Sequence, residues 1–457
     1  PLEVEEVPVP EPGPGEVLVK VKAAGICGSD LHIYKGGLGL MYPGPGDGTH
    51  LFPVKLPLVL GHEGAGVVEE VGSGVTGFKL KVGKFKVGDR VVVLPLVGCC
   101  GRGSAECEFC KGSGRENLCP KGRATGPGKG LMPNDGFGGF TPKKQGAPCK
   151  GKDGYHFMGD GGFAEYVVVP ARRNDYFVVK IPDGLDDEIP LEEAEAAALL
   201  GCAGLTAYGA LVRAAKVGSL PPGDTVLVHG AGGGVGLAAV QLAKAAGAAR
   251  VIAVDSSEDP EKKLELAKEL GADLDADFVN NSKGLPTVND DRKEDFVEAI
   301  KELTGGRNGA GGVDVVLDCV GIGLGGATLD AALALLKPGG RLVVVGPKVA
   351  VGVPGGGAPI PLLLLKEEEK LYERSIKGSF LGGRKPRLSV LSVDTTPDEL
   401  REALDLLASG IKDKNGKGVL DPLITHTLPP LDDSLEEANE AFELLESGKH
   451  GKVVLIP

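Results

Sequence analysis

Residues 225–255 constrain the fold more than any other stretch of the chain. TVLVH (225–229) is an apolar run of strand length, the turn GAGGGVG places glycines at Gly230, Gly233 and Gly236, helical periodicity runs from Leu237 to Ala246, and RVIAVD (250–255) supplies a second strand. Such a βαβ unit pairs its strands in parallel and lays the helix across one face of the sheet. The runs VDVVLDCVG (313–321) and GRLVVVG (340–346), with a helix from Glu261 to Leu270, extend the pattern to a parallel α/β sheet. The turn Gly230, Gly233, Gly234, Val235, Gly236 is GxxGxxG rather than GxGxxG, and the helix N-terminus beyond it suits a dinucleotide pyrophosphate. Asp255, nineteen residues after Gly236, is placed to accept hydrogen bonds from an adenosine ribose. Its charge repels a 2′-phosphate, and Ser256 and Ser257 offer no positive compensation, so NAD is expected over NADP.

Upstream lie three metal-type donors, each in a glycine-rich frame: Cys27 in GICGSD, His62 in GHEGAG and Cys202 in LLGCAG. Taken singly, each is more often a buried structural side chain. Together, two thiolates and an imidazole are the protein half of a catalytic zinc site with one open position.

These residues, and the stretches PGEVLVKVKAAGICGSD, KLPLVLGHEGAGVVEEVGSGV and NEAFELLESGKHGKVVLIP, give the chain a resemblance to the zinc-dependent alcohol dehydrogenases of the medium-chain dehydrogenase/reductase superfamily. KGLMPNDGFGGFTPKKQGAP and HFMGDGGFAEYVVV resemble its long-loop class I and class III branch. The resemblance implies a GroES-like β-rich catalytic domain, residues 1–203 and 381–457, and a Rossmann doubly wound parallel-sheet domain, residues 204–380. It implies reversible zinc-dependent oxidation of an alcohol to an aldehyde or ketone with hydride transfer to NAD. Glu63 resembles an alternate metal ligand, Asp30 the carboxylate that orients the histidine, and Ser29 and His32 a proton relay. By the same frame match Thr206 contacts nicotinamide, Val345 lies near the carboxamide and Lys452 reaches the pyrophosphate. A homodimer or homotetramer is expected on the same ground.

Cys107 and Cys110 form a CxxC pair, Cys119 follows, and Cys99 and Cys100 precede them. Four thiolates in one lobe make a closed structural zinc site, so two zinc ions per chain are expected, one catalytic and one structural. Ser104 occupies the position where the familiar pattern has its first cysteine, and Cys99 and Cys100 both remain open as the fourth ligand. Cys149 and Cys319 are read as non-ligands.

At 457 residues the chain exceeds one ordinary core, in keeping with two domains. Its net charge of −13 and lack of a dense basic cluster argue against nucleic acid as a partner. No apolar run approaches the ~18 residues of a membrane span, and the acidic, proline-rich N-terminal stretch is unlike a signal peptide. A cytoplasmic protein with reduced cysteines is expected. The longer glycine turn also resembles zinc-free NADPH quinone or enone reductases, which the Cys27, His62, Cys202 and Asp255 set opposes. A non-catalytic, cofactor-binding protein on the same fold is a further alternative.

Overall fold

The computed structural model describes residues 9–34, 58–75, 85–93, 96–97, 123–124, 155–156, 162–171, 178–181, 201–218, 223–255, 260–273, 292–305, 311–320, 327–345, 375–379, 424–428, 435–447 and 452–456. In the first part of the chain these form β1 (Glu16–Ile26), α1 (Gly28–Tyr34), β2 (Leu58–Val59), β3 (Glu63–Val71), β4 (Arg90–Val93), β5 (Leu96–Val97), β6 (Arg123–Ala124), β7 (Tyr155–His156), β8 (Tyr166–Pro170) and β9 (Val178–Lys180). The second part holds α2 (Ala203–Tyr208), a π-helical segment (Gly209–Ala215), β10 (Thr225–His229), α3 (Gly234–Ala245), β11 (Arg250–Val254), α4 (Pro260–Glu269), α5 (Arg292–Leu303), β12 (Val313–Asp318), α6 (Ala327–Leu335), β13 (Leu336–Val345) and β14 (Ser375–Ser379). The tail contributes β15 (Ile424–Leu428), α7 (Leu435–Ser447) and β16 (Lys452–Leu455).

β1 organises the first sheet, whose order is β15-β16-β1-β3-β4-β9 with β8 also on β1. Its alternation buries Val17, Val19, Val21 and Ala23, the last of them against a core shared with α2. β3 runs antiparallel along one edge of β1; β8 covers residues 16–20 of the other edge and β16 covers residues 24–26. The register pairs Gly25 with Glu63, so the chain leaves β1 at Cys27 at the same end where it enters β3 from His62. Two of the three donors are thereby neighbours by strand register alone. The tail returns to this sheet through β16, whose Val453, Val454 and Leu455 are buried.

The second sheet is wholly parallel, in the order β11-β10-β12-β13-β14. Val226, Leu227, Val228, Val251, Ile252, Ala253, Val315, Val316 and Leu317 are all buried, as strands covered on both faces require. From β10 the chain goes first to β11 on one side, and the sheet later continues through β12 on the other. The switch point therefore falls between the C-terminal ends of β10 and β12, where open α/β sheets bind ligands. α2 packs on α3, so the helix that follows Cys202 leans on the helix that rises from the glycine turn.

The architecture is the GroES-like β domain plus Rossmann sheet expected from sequence. Boundaries shift slightly. α3 starts at Gly234, three residues before Leu237, because Gly233 serves as its N-cap and its carbonyl accepts the Leu237 N–H at 2.9 Å. β12 stops at Asp318, where the Cys319 N–H turns to the His229 carbonyl at 3.0 Å.

Candidate active site

One carboxylate assembles the metal-type cluster. Asp30 stands at the third position of α1, and its Oδ2 accepts the N–H of Cys27 at 3.0 Å, the backward half of a capping box. Its Oδ1 accepts the Gly61 N–H at 3.0 Å and faces Nδ1 of His62 at 3.3 Å. A carboxylate only accepts, so Nδ1 carries the hydrogen, and Nε2 is the nitrogen through which the neutral ring would ligate a metal. The Gly61 carbonyl accepts the Gly162 N–H at 2.9 Å, and the Leu60 carbonyl accepts the Phe163 N–H at 3.0 Å, which pins the backbone leading into His62.

Donor atoms of Cys27, His62, Glu63 and Cys202 all lie within 4.8 Å of one another. Cys27 is half-buried and the other three are buried. A tetrahedral Cys₂His shell with metal–ligand bonds of 2.0–2.3 Å brings its donors to roughly 3.5–4 Å of each other, so this group needs only a small contraction to close on one ion. Soft thiolates with an imidazole suit zinc, and the donor set fits it. Burial lowers the basicity of His62, but the Asp30 carboxylate and Cys27 outweigh it and hold the ring well above its ordinary range. No other group of three such donors occurs among the described residues.

At the other centre the three glycines divide the work. Gly230 sits at φ +77°, and a Cβ there would meet Val320 Cγ2 at 2.7 Å, so the tight turn demands glycine. At Gly236 a Cβ would strike the Gly230 carbonyl oxygen at 2.1 Å and Ala231 Cα at 2.6 Å, which keeps α3 close against the strand end. A Cβ on Gly233 would meet nothing nearer than 3.6 Å, leaving a bare backbone face at the helix start. Tight turn, open approach and close packing are the three glycine roles of a pyrophosphate cradle, realised here with the longer spacing. The residues present fit a dinucleotide. Asp255 is buried beside the turn, and its Oδ2 accepts the Gly232 N–H at 2.7 Å.

The Zinc-binding dehydrogenase family model matches residues 234–409, and that of the Alcohol dehydrogenase GroES-like domain matches residues 13–183. A solved NAD-dependent alcohol dehydrogenase is 31% identical, with 100% of this chain and 95% of that one covered at a TM-score of 0.61. The chain belongs to the zinc-type alcohol dehydrogenase family. The alcohol dehydrogenase of the hyperthermophilic archaeon Aeropyrum pernix is 30% identical over 100% of this chain and 97% of its own, at a TM-score of 0.64. 2R,3R-butanediol dehydrogenase from Bacillus subtilis is 28% identical over 100% and 96%, at 0.61.

In this alcohol dehydrogenase-family chain Ser29 and His32 lie on α1, with Ser29 half-buried. Thr206 lies one helical turn after Cys202, Val345 ends β13 and Lys452 opens β16. Cys99, Cys100, Cys107, Cys110, Cys119 and Cys149 lie outside the described residues. Cys319 stands apart from the donor cluster; burial, with the Asp318 and Asp255 carboxylates adding, pushes its thiol far above the usual cysteine range.

Sequence reasoning missed one buried pair. His229 ends β10, Asp318 ends β12, the two are in register, and His229 Nδ1 donates to Asp318 Oδ1 at 2.9 Å. The same oxygen accepts the Val320 N–H at 3.1 Å, so the pair ties the strand ends at the switch point directly beneath the glycine turn. The only signal in the sequence is a polar residue at each end of an apolar strand. Asp255 likewise gains a role that spacing did not reveal, since it clasps the turn itself through Gly232.

Proposed function

We propose that this chain is a zinc- and NAD-dependent alcohol dehydrogenase that reversibly oxidises an alcohol to an aldehyde or ketone. The observation that carries this reading is the convergence of the Cys27, His62 and Cys202 donors within 4.8 Å, at the end of a helix packed on α3. Those three residues would hold the zinc, with the Glu63 carboxylate beside them. Bound there, zinc supplies Lewis acidity that makes an alcohol hydroxyl a far stronger acid, as it lowers the pKa of water from 15.7 to about 7. The dinucleotide supplies the hydride acceptor.

The protein's own residues do the rest. Asp30 fixes the tautomer and the angle of His62 while holding the backbone of Cys27 and Gly61. Gly233 offers a bare backbone to the pyrophosphate, and Asp255 accepts from the adenosine ribose and repels a 2′-phosphate. Ser29 accepts the alcohol's proton, and His32, three residues along the same helix, passes it to solvent.

The experiment is alcohol-dependent formation of reduced nicotinamide, with NAD and NADP compared and metal counted per chain. The reading expects turnover that prefers NAD, stops on chelation and is absent from Cys27→Ala. Enone or quinone reduction with NADPH that survives metal removal would favour the zinc-free reading suggested by the GxxGxxG spacing. Cofactor binding and a filled zinc site without turnover of any alcohol would favour the non-catalytic one.

A further inference from the structure

Thr206 and Cys202 share a contact that the proposed reaction does not use. Cys202 immediately precedes α2, and Thr206 lies four residues on, where its N–H donates to the Cys202 carbonyl at 2.9 Å. That register brings the Thr206 hydroxyl to 3.9 Å from Cys202 Sγ, and both residues are buried. A helical threonine hydroxyl commonly turns back to the carbonyl one turn earlier. Here the Cys202 sulfur is its one side-chain hydrogen-bond partner among the described residues.

At 3.9 Å the contact is long for a hydrogen bond to sulfur, and either atom can donate. A thiolate only accepts. Once Cys202 is deprotonated as a metal ligand, the direction is fixed from Thr206 to sulfur, and the bond becomes charge-assisted.

We propose that Thr206 is a positioning residue for the metal centre: its hydroxyl donates to the Cys202 thiolate, withdraws charge from that sulfur and so leaves the bound ion more electrophilic. This rests on the zinc-site reading above. It also gives one side chain two duties, because the family frame places the same threonine against nicotinamide. A valine at 206 would keep the shape that the cofactor meets and lose the electronic effect. Serine would keep the electronic effect with less packing.

The test is the sulfur-to-metal charge-transfer absorption of cobalt-substituted protein, which reads electron density on the ligand sulfur without turnover. The component belonging to this site is the difference between the parent and Cys202→Ala spectra. Loss of the hydrogen bond raises the sulfur lone-pair energy, so Thr206→Val and Thr206→Ala should both move that component to longer wavelength, while Thr206→Ser leaves it in place. Bands unmoved in Val and Ala variants that still bind cobalt would overturn the proposal, as would a shift in the serine variant equal to theirs. If Cys202→Ala removes no cobalt absorption at all, the zinc-site reading itself fails.

Discussion

Asp30 concentrates the chemistry of the metal cluster in one side chain, because its two oxygens serve the backbone of Cys27, the backbone of Gly61 and the ring of His62. Replacing it with asparagine keeps the shape but removes the charge and offers the histidine a weaker acceptor. Asp30→Asn should weaken zinc binding by about 10–100-fold, read by competition with a chromophoric chelator. His62 gives the pH dependence. Its proton is held well above the usual 6.5 by Asp30 and Cys27, despite burial, so the metal must displace a proton that is present at neutral pH. Zinc affinity should therefore climb as pH rises toward the elevated value, with proton release seen by calorimetry in buffers of different ionisation enthalpy. The metal-free fold shifts the opposite way, losing stability as pH rises through the elevated value, because the unfolded chain has already given up that proton near 6.5. His229 and Asp318 make a separate prediction. Asp318→Ala strands a buried imidazole N–H and the Val320 N–H, and should cost about 1–3 kcal/mol in urea unfolding. Cys27, His62 and Cys202 were legible because each sits in a recognisable glycine-rich frame. The His229–Asp318 pair was not, since its partners are 89 residues apart and meet only through strand order.

At the level of elements, the turn before α3 is the most sharply determined piece of the molecule. The spacing of Gly230, Gly233 and Gly236 announced a cradle, and the apolar run 225–229 located β10 to the residue. What spacing did not reveal was which glycine is structural and which is open. The contacts decide it: a methyl on Gly236 runs into backbone at 2.1 Å, whereas one on Gly233 finds room. Gly236→Ala should cost about 1–3 kcal/mol of stability through forced displacement of α3 from the strand end. Gly233→Ala should leave the urea midpoint nearly unchanged and weaken NAD binding, because its methyl would occupy the face that the pyrophosphate approaches. Equal loss of stability in both variants would contradict that division of roles. The early start of α3 has the same origin, since helix periodicity in side chains begins at Leu237 while the backbone turn begins with glycines that carry no periodic signal.

Over the whole molecule, the βαβ pattern and the family resemblance were enough to expect two sheets, but no local signal ties residues 452–455 to residues 24–26. That pairing depends on three buried apolar residues at the far end of the chain, Val453, Val454 and Leu455, landing beside the strand that delivers Cys27. At about 1.5–3 kcal/mol for each buried aliphatic side chain, their loss rivals the whole stability of a typical domain, so truncation before Lys452 should abolish folding of the first sheet. Tyr34 and α7 reinforce the arrangement: its ring stacks on Phe442 at 4.9 Å and its hydroxyl donates to Asn439 Oδ1 at 3.3 Å, which braces α1 from the tail. On the proposed function, segments around residues 27, 62 and 202 close on a single ion beside the dinucleotide cradle. Zinc per folded chain, counted in the parent and in a Cys27→Ala, His62→Ala, Cys202→Ala triple variant with each fold checked by circular dichroism, tests this. The triple variant should lose one zinc per chain with the fold retained; an unchanged count would rule the site out.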